Sequence, residues 1–328
     1  MVYLRLQTGG EQMSSIIGDI RETARQLLVD GKIDVVIGYE KGSLPLKATP
    51  CFVRSPQDID KLIWDETCEN NLALFVAKTA GKKAIVAKGC DSRALVVLMQ
   101  ENQFSRDDLY IIGVSCKGVI DKRKIEAETG EIIDASMNNG KITVKGMTCG
   151  KEFGFAEVKD ATCITCRYPN PVIKDIQFGE SIEVPQQATA FADVIEMENK
   201  SDNERQTYFK EQMNKCIRCY ACRNACPMCY CPECFVDCNS PRWLTGGVDS
   251  AENLMFQAGR VLHLAGRCVD CGACSRACPQ NVDIRALNRK LGKDVLEMYN
   301  HESGISEEVN PALNDYSTED PEAFLVKE

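Results

Sequence analysis

The chain has 328 residues, a length that suits about two domains, and its 39 Lys+Arg against 48 Asp+Glu leave a net charge of −9. That acidity repels phosphate backbones and argues against a nucleic-acid partner, while 44% apolar and 27% charged residues exclude wholesale disorder. The longest apolar runs, such as Ala94–Met99, are too short to cross a bilayer, and the opening MVYLRLQTGGEQ lacks the basic-then-apolar pattern of a secretory signal, so a cytoplasmic location is expected.

In chain order, Ser15–Val29 reads as a helix leading into the β-branched strand Ile33–Gly38. Lys83–Ala87 is a second short strand. It runs through Gly89-Cys90 into a helix over Asp91–Glu101, whose apolar residues at 94, 95, 98 and 99 share one face. Leu109–Val114 is a third strand and ends at Ser115-Cys116, and Lys141–Lys145 and Glu152–Val158 alternate as a hairpin does. This order predicts an α/β N-terminal domain with a mixed, largely parallel sheet over residues 1–185. No GxGxxG follows any strand, so a dinucleotide fold of the Rossmann type is not expected. Residues 186–215 read as a polar connector ending in a helix at about Asn203–Asn214. Residues 216–300 are mostly α-helical in pattern, with an apolar stripe at 254, 258, 261, 262 and 265 within Glu252–Gly266 and a further helix over Val282–Tyr299. Residues 301–328 form an acidic tail. It reads either as a solvated extension or as a docking strap anchored by Leu313, Tyr316, Phe324 and Leu325.

The abnormal number is 19 Cys against 2 His. An odd count in a large chain without an export signal points to reduced thiols, and thiolates at short spacing bind metal. So few His leave little room for mixed zinc sites, and iron with sulfide is the expected element. Two runs share the pattern C-x2-C-x2-C-x3-C-P: Cys216, Cys219, Cys222, Cys226-Pro227 and Cys268, Cys271, Cys274, Cys278-Pro279. In such a doubled run three thiolates wrap one cubane and the fourth crosses to the other. The expected ligand sets are therefore Cys216, Cys219, Cys222 with Cys278, and Cys268, Cys271, Cys274 with Cys226. Four further thiols, Cys229, Cys231, Cys234 and Cys238, suggest another iron–sulfur cluster, completed by Cys149 or Cys68; zinc and free thiols are the other readings.

With 41 residues between Cys226 and Cys268, residues 205–300 resemble the α-helical ferredoxin domains of succinate dehydrogenase iron–sulfur subunits and of the small heterodisulfide reductase subunit. In the first half, Ala87-Lys-Gly-Cys90, Ile112-Gly-Val-Ser-Cys116, Cys163-Ile-Thr-Cys166 and Lys174-Asp-Ile-Gln-Phe-Gly179 occur in an order similar to the beta subunits of coenzyme F420-reducing hydrogenase and of formate dehydrogenase, over about residues 15–182. The resemblance implies that Cys90, Cys116, Cys163 and Cys166 ligate one 4Fe-4S cluster. The plain alternative is that Cys90 and Cys116 are buried small apolar residues. It also implies FAD, with Asn70, Asn71, Arg93 and Gly179 as cofactor-binding residues. Arg93 suits a flavin phosphate, the charge of a cluster or simple solvation, and the loop Glu66–Asn71 suits a flavin site or a helix cap. One departure stands out: the relatives' Gly-Gly turn before the first helix is here a single Gly18.

Together these readings give an iron–sulfur electron-transfer subunit of an anaerobic oxidoreductase complex. It would relay electrons between a formate dehydrogenase, hydrogenase or heterodisulfide-reductase-like module and another carrier. The alternative is a self-sufficient flavin-dependent oxidoreductase coupling coenzyme F420 or nicotinamide to ferredoxin. No residue is assigned a catalytic acid–base role, since no carboxylate pair or His constellation appears in a motif.

Overall fold

The computed structural model describes residues 9–138, 140–184 and 190–311, with side chains from residue 15 onward. The anchors expected at Leu313, Tyr316, Phe324 and Leu325 lie outside the described residues. The chain divides into two compact units, residues 1–92 with 104–184, and residues 93–103 with 185–328. The expected connector 186–215 thus counts with the second unit, as does the helix Gly89–Gln100 from Arg93 onward.

The first unit is built on a five-stranded sheet. Its strands are β1 (Val35–Lys41), β2 (Ala48–Val53), β3 (Lys83–Ala87), β4 (Leu109–Val114) and, from later in the chain, β8 (Ile176–Phe178), in the spatial order β2-β1-β3-β4-β8. β1, β3, β4 and β8 run parallel, and β2 is an antiparallel edge. This is the mixed, largely parallel sheet expected. The continuous burial of β3 and of Val35–Tyr39 suits strands covered on both faces. The helix Gly9–Val29 places Ile20, Ala24 and Leu27 on one buried stripe, which packs with Val36, Val53, Val86 and Val114. Arg21 then pins the 3-10 turn Pro56–Lys61 after β2 by donating to the carbonyls of Asp60 (2.7 Å) and Leu62.

A three-stranded antiparallel meander completes this unit: β5 (Ile132–Asn138), β6 (Lys141–Gly146) and β7 (Gly150–Gly154). The expected hairpin is its β6–β7 pair, but the second strand stops at Gly154. There the Glu157 carboxylate accepts from the Gly154 amide (2.9 Å) and starts the short helix Phe155–Val158. Ile125, Ile132, Ile142, Val144 and Phe153 give the meander its own small core.

Among its described residues the second unit contains helices and loops and no strand. Its longer helices are Asp202–Lys215, Ser250–His263 and Ile284–Tyr299. Each starts on a side-chain cap that accepts backbone amides: Ser201, Asp249 and Asp283. The stretch 301–311 does not hang free as a tail would. His301 Nε2 meets Gly266 O at 3.1 Å, and Gln100 donates to Ser306 O at 3.0 Å.

The helix Ser250–His263 departs from its apolar stripe in an instructive way. Leu254 and Leu262 of that stripe are exposed, with Met255 beside them, whereas Asn253, Gln257 and Arg260 are almost fully buried along with Phe256 and Val261. Periodicity located the helix. Its inner face is mixed: Phe256 joins a small apolar cluster, while Asn253, Gln257 and Arg260 meet thiols and loop carbonyls.

The two cysteine loops repeat one another in backbone as well as sequence. Arg218 and Tyr220 have φ of 51° and 61°, and Asp270 and Gly272, at the matching positions, have 52° and 70°. Left-handed conformations are costly outside glycine, so each needs support. Arg218 is tied to Glu252 on one helix (3.3 Å), and Asp270 receives Arg285 (2.7 Å) and Arg289 (2.6 Å) from another. Burial alone would raise the Asp270 carboxyl, but the two guanidiniums outweigh it and hold the group below its ordinary range. Replacing Asp270 by Asn leaves the nearly buried Arg289 with one carboxylate partner, Asp193 (2.7 Å), in place of two. The expected cost is about 2–3 kcal/mol, read as a lowered anaerobic melting temperature. An unchanged melt would show that the loop does not depend on this anchor.

Candidate metal centres

In the first unit, β3 and β4 are neighbouring parallel strands, so the segments that follow them emerge side by side: Cys90 in the first turn of the helix Gly89–Gln100 and Cys116 in the loop after β4. Cys163 lies in the short helix Ala161–Ile164, which Asp160 caps by accepting from Thr162 N (2.8 Å), and Cys166 follows it. The Cys116 amide donates to Pro169 O (2.9 Å), and Cys163 and Cys166 lie within electrostatic reach of the Cys116 thiol. A Cβ added to Gly89 would fall 1.8 Å from Tyr168 O, so only glycine lets the segment after Cys166 close on the Cys90 turn. Burial pushes the Cys116 thiol up to about 12, and a bound metal would displace its proton.

Lys88, inside the quoted Ala87-Lys-Gly-Cys90 motif, was not singled out by the sequence, yet it is central here. It is 3% exposed. Its Nζ meets Asp91 Oδ2 (2.9 Å), donates to Asn70 O (2.8 Å) and to Tyr39 Oη, and lies 4.6 Å from the Tyr39 ring centroid. Burial acts to lower the Lys88 amine; Asp91, Tyr39, Cys90 and Cys116 outweigh it and keep the group charged. Burial was the missing signal, because a lysine before a glycine reads as a solvated turn.

Beside these thiols lies a cavity of about 140 Å³, walled in part by Trp64, Cys68, Lys88, Cys116 and Gly179. Of the expected cofactor-binding residues, Gly179 is in this wall. Asn71 accepts from Ala73 N (3.1 Å) at the start of the helix Ala73–Val76 and donates to Cys90 O (3.3 Å). Asn70 meets Tyr39 and Lys88 through its backbone carbonyl. Arg93 spends its donors in the second unit, on Ser303 O (2.6 and 3.1 Å) and on Val269 O (3.1 Å), next to Cys268. Gly18 has open space around it.

In the second unit a small cavity is lined by Cys216, Cys219, Cys222 and, from the other repeat, Cys278, with Phe256 and Ile284 behind them. Gln257 Nε2 faces the sulfurs of Cys216 and Cys222 at 3.9 Å each, and Asn253 Nδ2 donates to Cys216 O (2.7 Å). Cys219 is exposed, so this set opens toward solvent. In the second set, Cys226 lies within electrostatic reach of Cys271, and Cys268 within reach of Cys271 and Cys274.

Cys229, Cys231, Cys234 and Cys238 are divided. Cys226 hydrogen-bonds to Cys229 and draws it down to about 6 against the opposing effect of burial, with Arg260 and Arg267 helping. Cys238 donates weakly to Cys234 O (3.6 Å), and Cys231 is exposed. Cys68 and Cys149 belong to the first unit. Asp65 N faces the Cys68 sulfur at 3.5 Å, and Cys149 contacts Glu128 O. Cys51 is buried in β2 opposite Gly38. Among the described residues, no three His, Cys, Asp or Glu side chains stand close enough to hold a single metal ion. A cubane carries its thiolates on separate iron corners and asks for a wider set. No helix of the described residues is long and apolar enough to cross a membrane.

No known family model matches the chain. It is 22% identical to the F420-dependent formate dehydrogenase subunit beta of Methanocaldococcus jannaschii, over 90% of this chain and 94% of that one. It is 25% identical to the F420-dependent formate dehydrogenase 1 subunit beta of Methanococcus maripaludis, over 90% and 92%. These relatives bear out the resemblance to formate dehydrogenase beta subunits and extend it from residues 15–182 to nine tenths of the chain. A solved structure described as a xenon derivatization of the F420-reducing [NiFe] hydrogenase complex from Methanosarcina barkeri matches 47% of this chain and 62% of that one, less than two thirds, at 16% identity and a TM-score of 0.34.

Gly89→Ala tests the first thiol set. The clash with Tyr168 O is expected to cost about 1–3 kcal/mol, measured by anaerobic melting, and to remove iron from this set. A variant with wild-type iron content would mean that the Cys90 turn and the segment after Cys166 are not jointly required.

Proposed function

We propose that the chain is an iron–sulfur electron-transfer subunit of an oxidoreductase complex, related in role to the beta subunits of F420-dependent formate dehydrogenases. The observation that carries this is the cavity shared by Cys216, Cys219, Cys222 and Cys278, because a crossed set drawn from two repeats is what a pair of cubanes requires and what separate zinc sites do not. Held by thiolates, such clusters accept and release single electrons. The chain's own residues do the rest. The left-handed turns at Arg218, Tyr220, Asp270 and Gly272 bend each loop around its thiols. Gln257 directs its amide hydrogens toward the sulfurs of Cys216 and Cys222, and Asn253 donates to Cys216 O, which tunes and orients a cluster site. In the first unit Cys90, Cys116, Cys163 and Cys166 form a third set, with the Lys88 ammonium balancing thiolate charge. Cys229, Cys231, Cys234 and Cys238 are proposed as a fourth iron–sulfur site. The partners are other subunits of a redox complex, with ferredoxin or coenzyme F420 as the outer carrier.

A second reading has one observation in its favour. The cavity beside Cys116 has an aromatic wall in Trp64, a fixed cation in Lys88 and a left-handed Gly179 (φ 81°), which together suit a planar ring that gains negative charge on reduction, such as that of a flavin. FAD there would make the chain a flavin-dependent oxidoreductase in its own right.

Anaerobically purified chain is expected to hold roughly 12–16 Fe with equal acid-labile sulfide, because three thiolate sets are assigned and a fourth proposed. A value near that of two clusters would remove the first-unit set. Cys271→Ser is expected to lower the iron by one cluster and to destabilise the second unit. Flavin absorbance in the supernatant after acid release would select the second reading.

A further inference from the structure

The helix Ser250–His263 turns Arg260 inward, where it is 3% exposed, a burial rare for arginine without compensating partners. One donor, Nη2, reaches Cys222 O at 3.2 Å. Nε and Nη1 are buried with no hydrogen-bond partner among the described residues. The groups acting on this guanidinium are the thiols of Cys274, Cys222, Cys226 and Cys229. Cys222 belongs to one crossed set and Cys226 and Cys274 to the other, so Arg260 stands where the two sets adjoin. Gln257, one turn earlier on the same face, is also buried, and its amide nitrogen faces Cys216 and Cys222. Neither side chain was marked by the cysteine spacing, because both lie in the insert between the repeats.

A buried cation with two nitrogens left without partners is costly for a fold to hold. Thiolate-bound cubanes are net anions that gain one more negative charge on reduction, and charge and hydrogen bonds at their sulfurs set their potentials. We propose that Arg260 is a cation shared between the two cluster sites, its Nε–H and Nη1–H groups reserved for cluster sulfur, and that it raises the reduction potential of both. Arg260 is thus a positioning and tuning residue, and the inference rests on the dicluster reading above.

The test uses the full chain, purified without oxygen, as wild type, Arg260→Gln and Arg260→Lys, with iron and sulfide counts and EPR-monitored redox titrations. The expected result is that R260Q keeps wild-type iron, shifts the midpoints of two clusters to lower potential and leaves the remaining cluster signals in place. R260K, which keeps the charge but loses the fork, is expected to fall between R260Q and wild type. R260Q with full iron and unmoved midpoints would overturn the proposal. If R260Q loses iron, R260K decides: retained iron with midpoints near wild type supports a role for the charge, and loss of iron from both makes Arg260 a packing residue. A wild-type chain short of the iron of two clusters would instead sink the dicluster reading, a separate result from the variant midpoints.

Discussion

Cys278 can stand beside Cys216, Cys219 and Cys222 only if two loops, with a 41-residue insert between Cys226 and Cys268, fold back onto each other. The rest of the second unit is arranged around that closure. The left-handed turns shape the loops, and Glu252, Arg285 and Arg289 tie them to the two flanking helices. The small apolar cluster of Met213, Leu244, Phe256, Val282 and Ile284 takes in Cys222 as one of its members. On the proposed dicluster reading, so modest a core leaves much of the ordering of this region to metal–thiolate bonds.

The first unit uses a different economy. Its sheet is an ordinary packed core, and the thiols are delivered as a by-product of strand direction: parallel neighbours end on the same side, so their loops meet. The cavity with Trp64 and Lys88 lies against the same strand ends. The first unit thus places its thiols beside a ligand cavity at the ends of an apolar sheet, whereas in the second unit the thiols lie among a few apolar side chains.

Much of this was legible in the residues. The β-branched strands β1, β3 and β4 and the principal helices announced themselves by composition and period, and the doubled cysteine spacing singled out Cys216, Cys219, Cys222 and Cys278, which line one cavity. β2 was missed because Pro50 breaks its pattern, which an edge strand tolerates. β8 has three residues, too few to show a period. The apolar stripe of the helix Ser250–His263 marks its inner face only in part: Val261 is buried, but Leu254 and Leu262 are exposed, and Asn253, Gln257 and Arg260 are buried in their place. Lys88 and Arg260 escaped for a related cause. What distinguishes them is burial, and in sequence a buried cation and a solvated one are the same letter.

The inverted helix has a consequence for the chain's behaviour in bulk. With Asn253, Gln257 and Arg260 turned inward, Leu254, Met255 and Leu262 lie in water, each between 46% and 63% exposed. Trp243, at 64%, and Val248, at 57%, add apolar surface just upstream. Such surface favours self-association, and what opposes it is the mutual repulsion of molecules carrying a net charge of −9. That repulsion vanishes near the isoelectric point of about 5.1 and is screened by salt. The colloidal stability of the free chain is thereby tied to mildly alkaline, low-salt conditions.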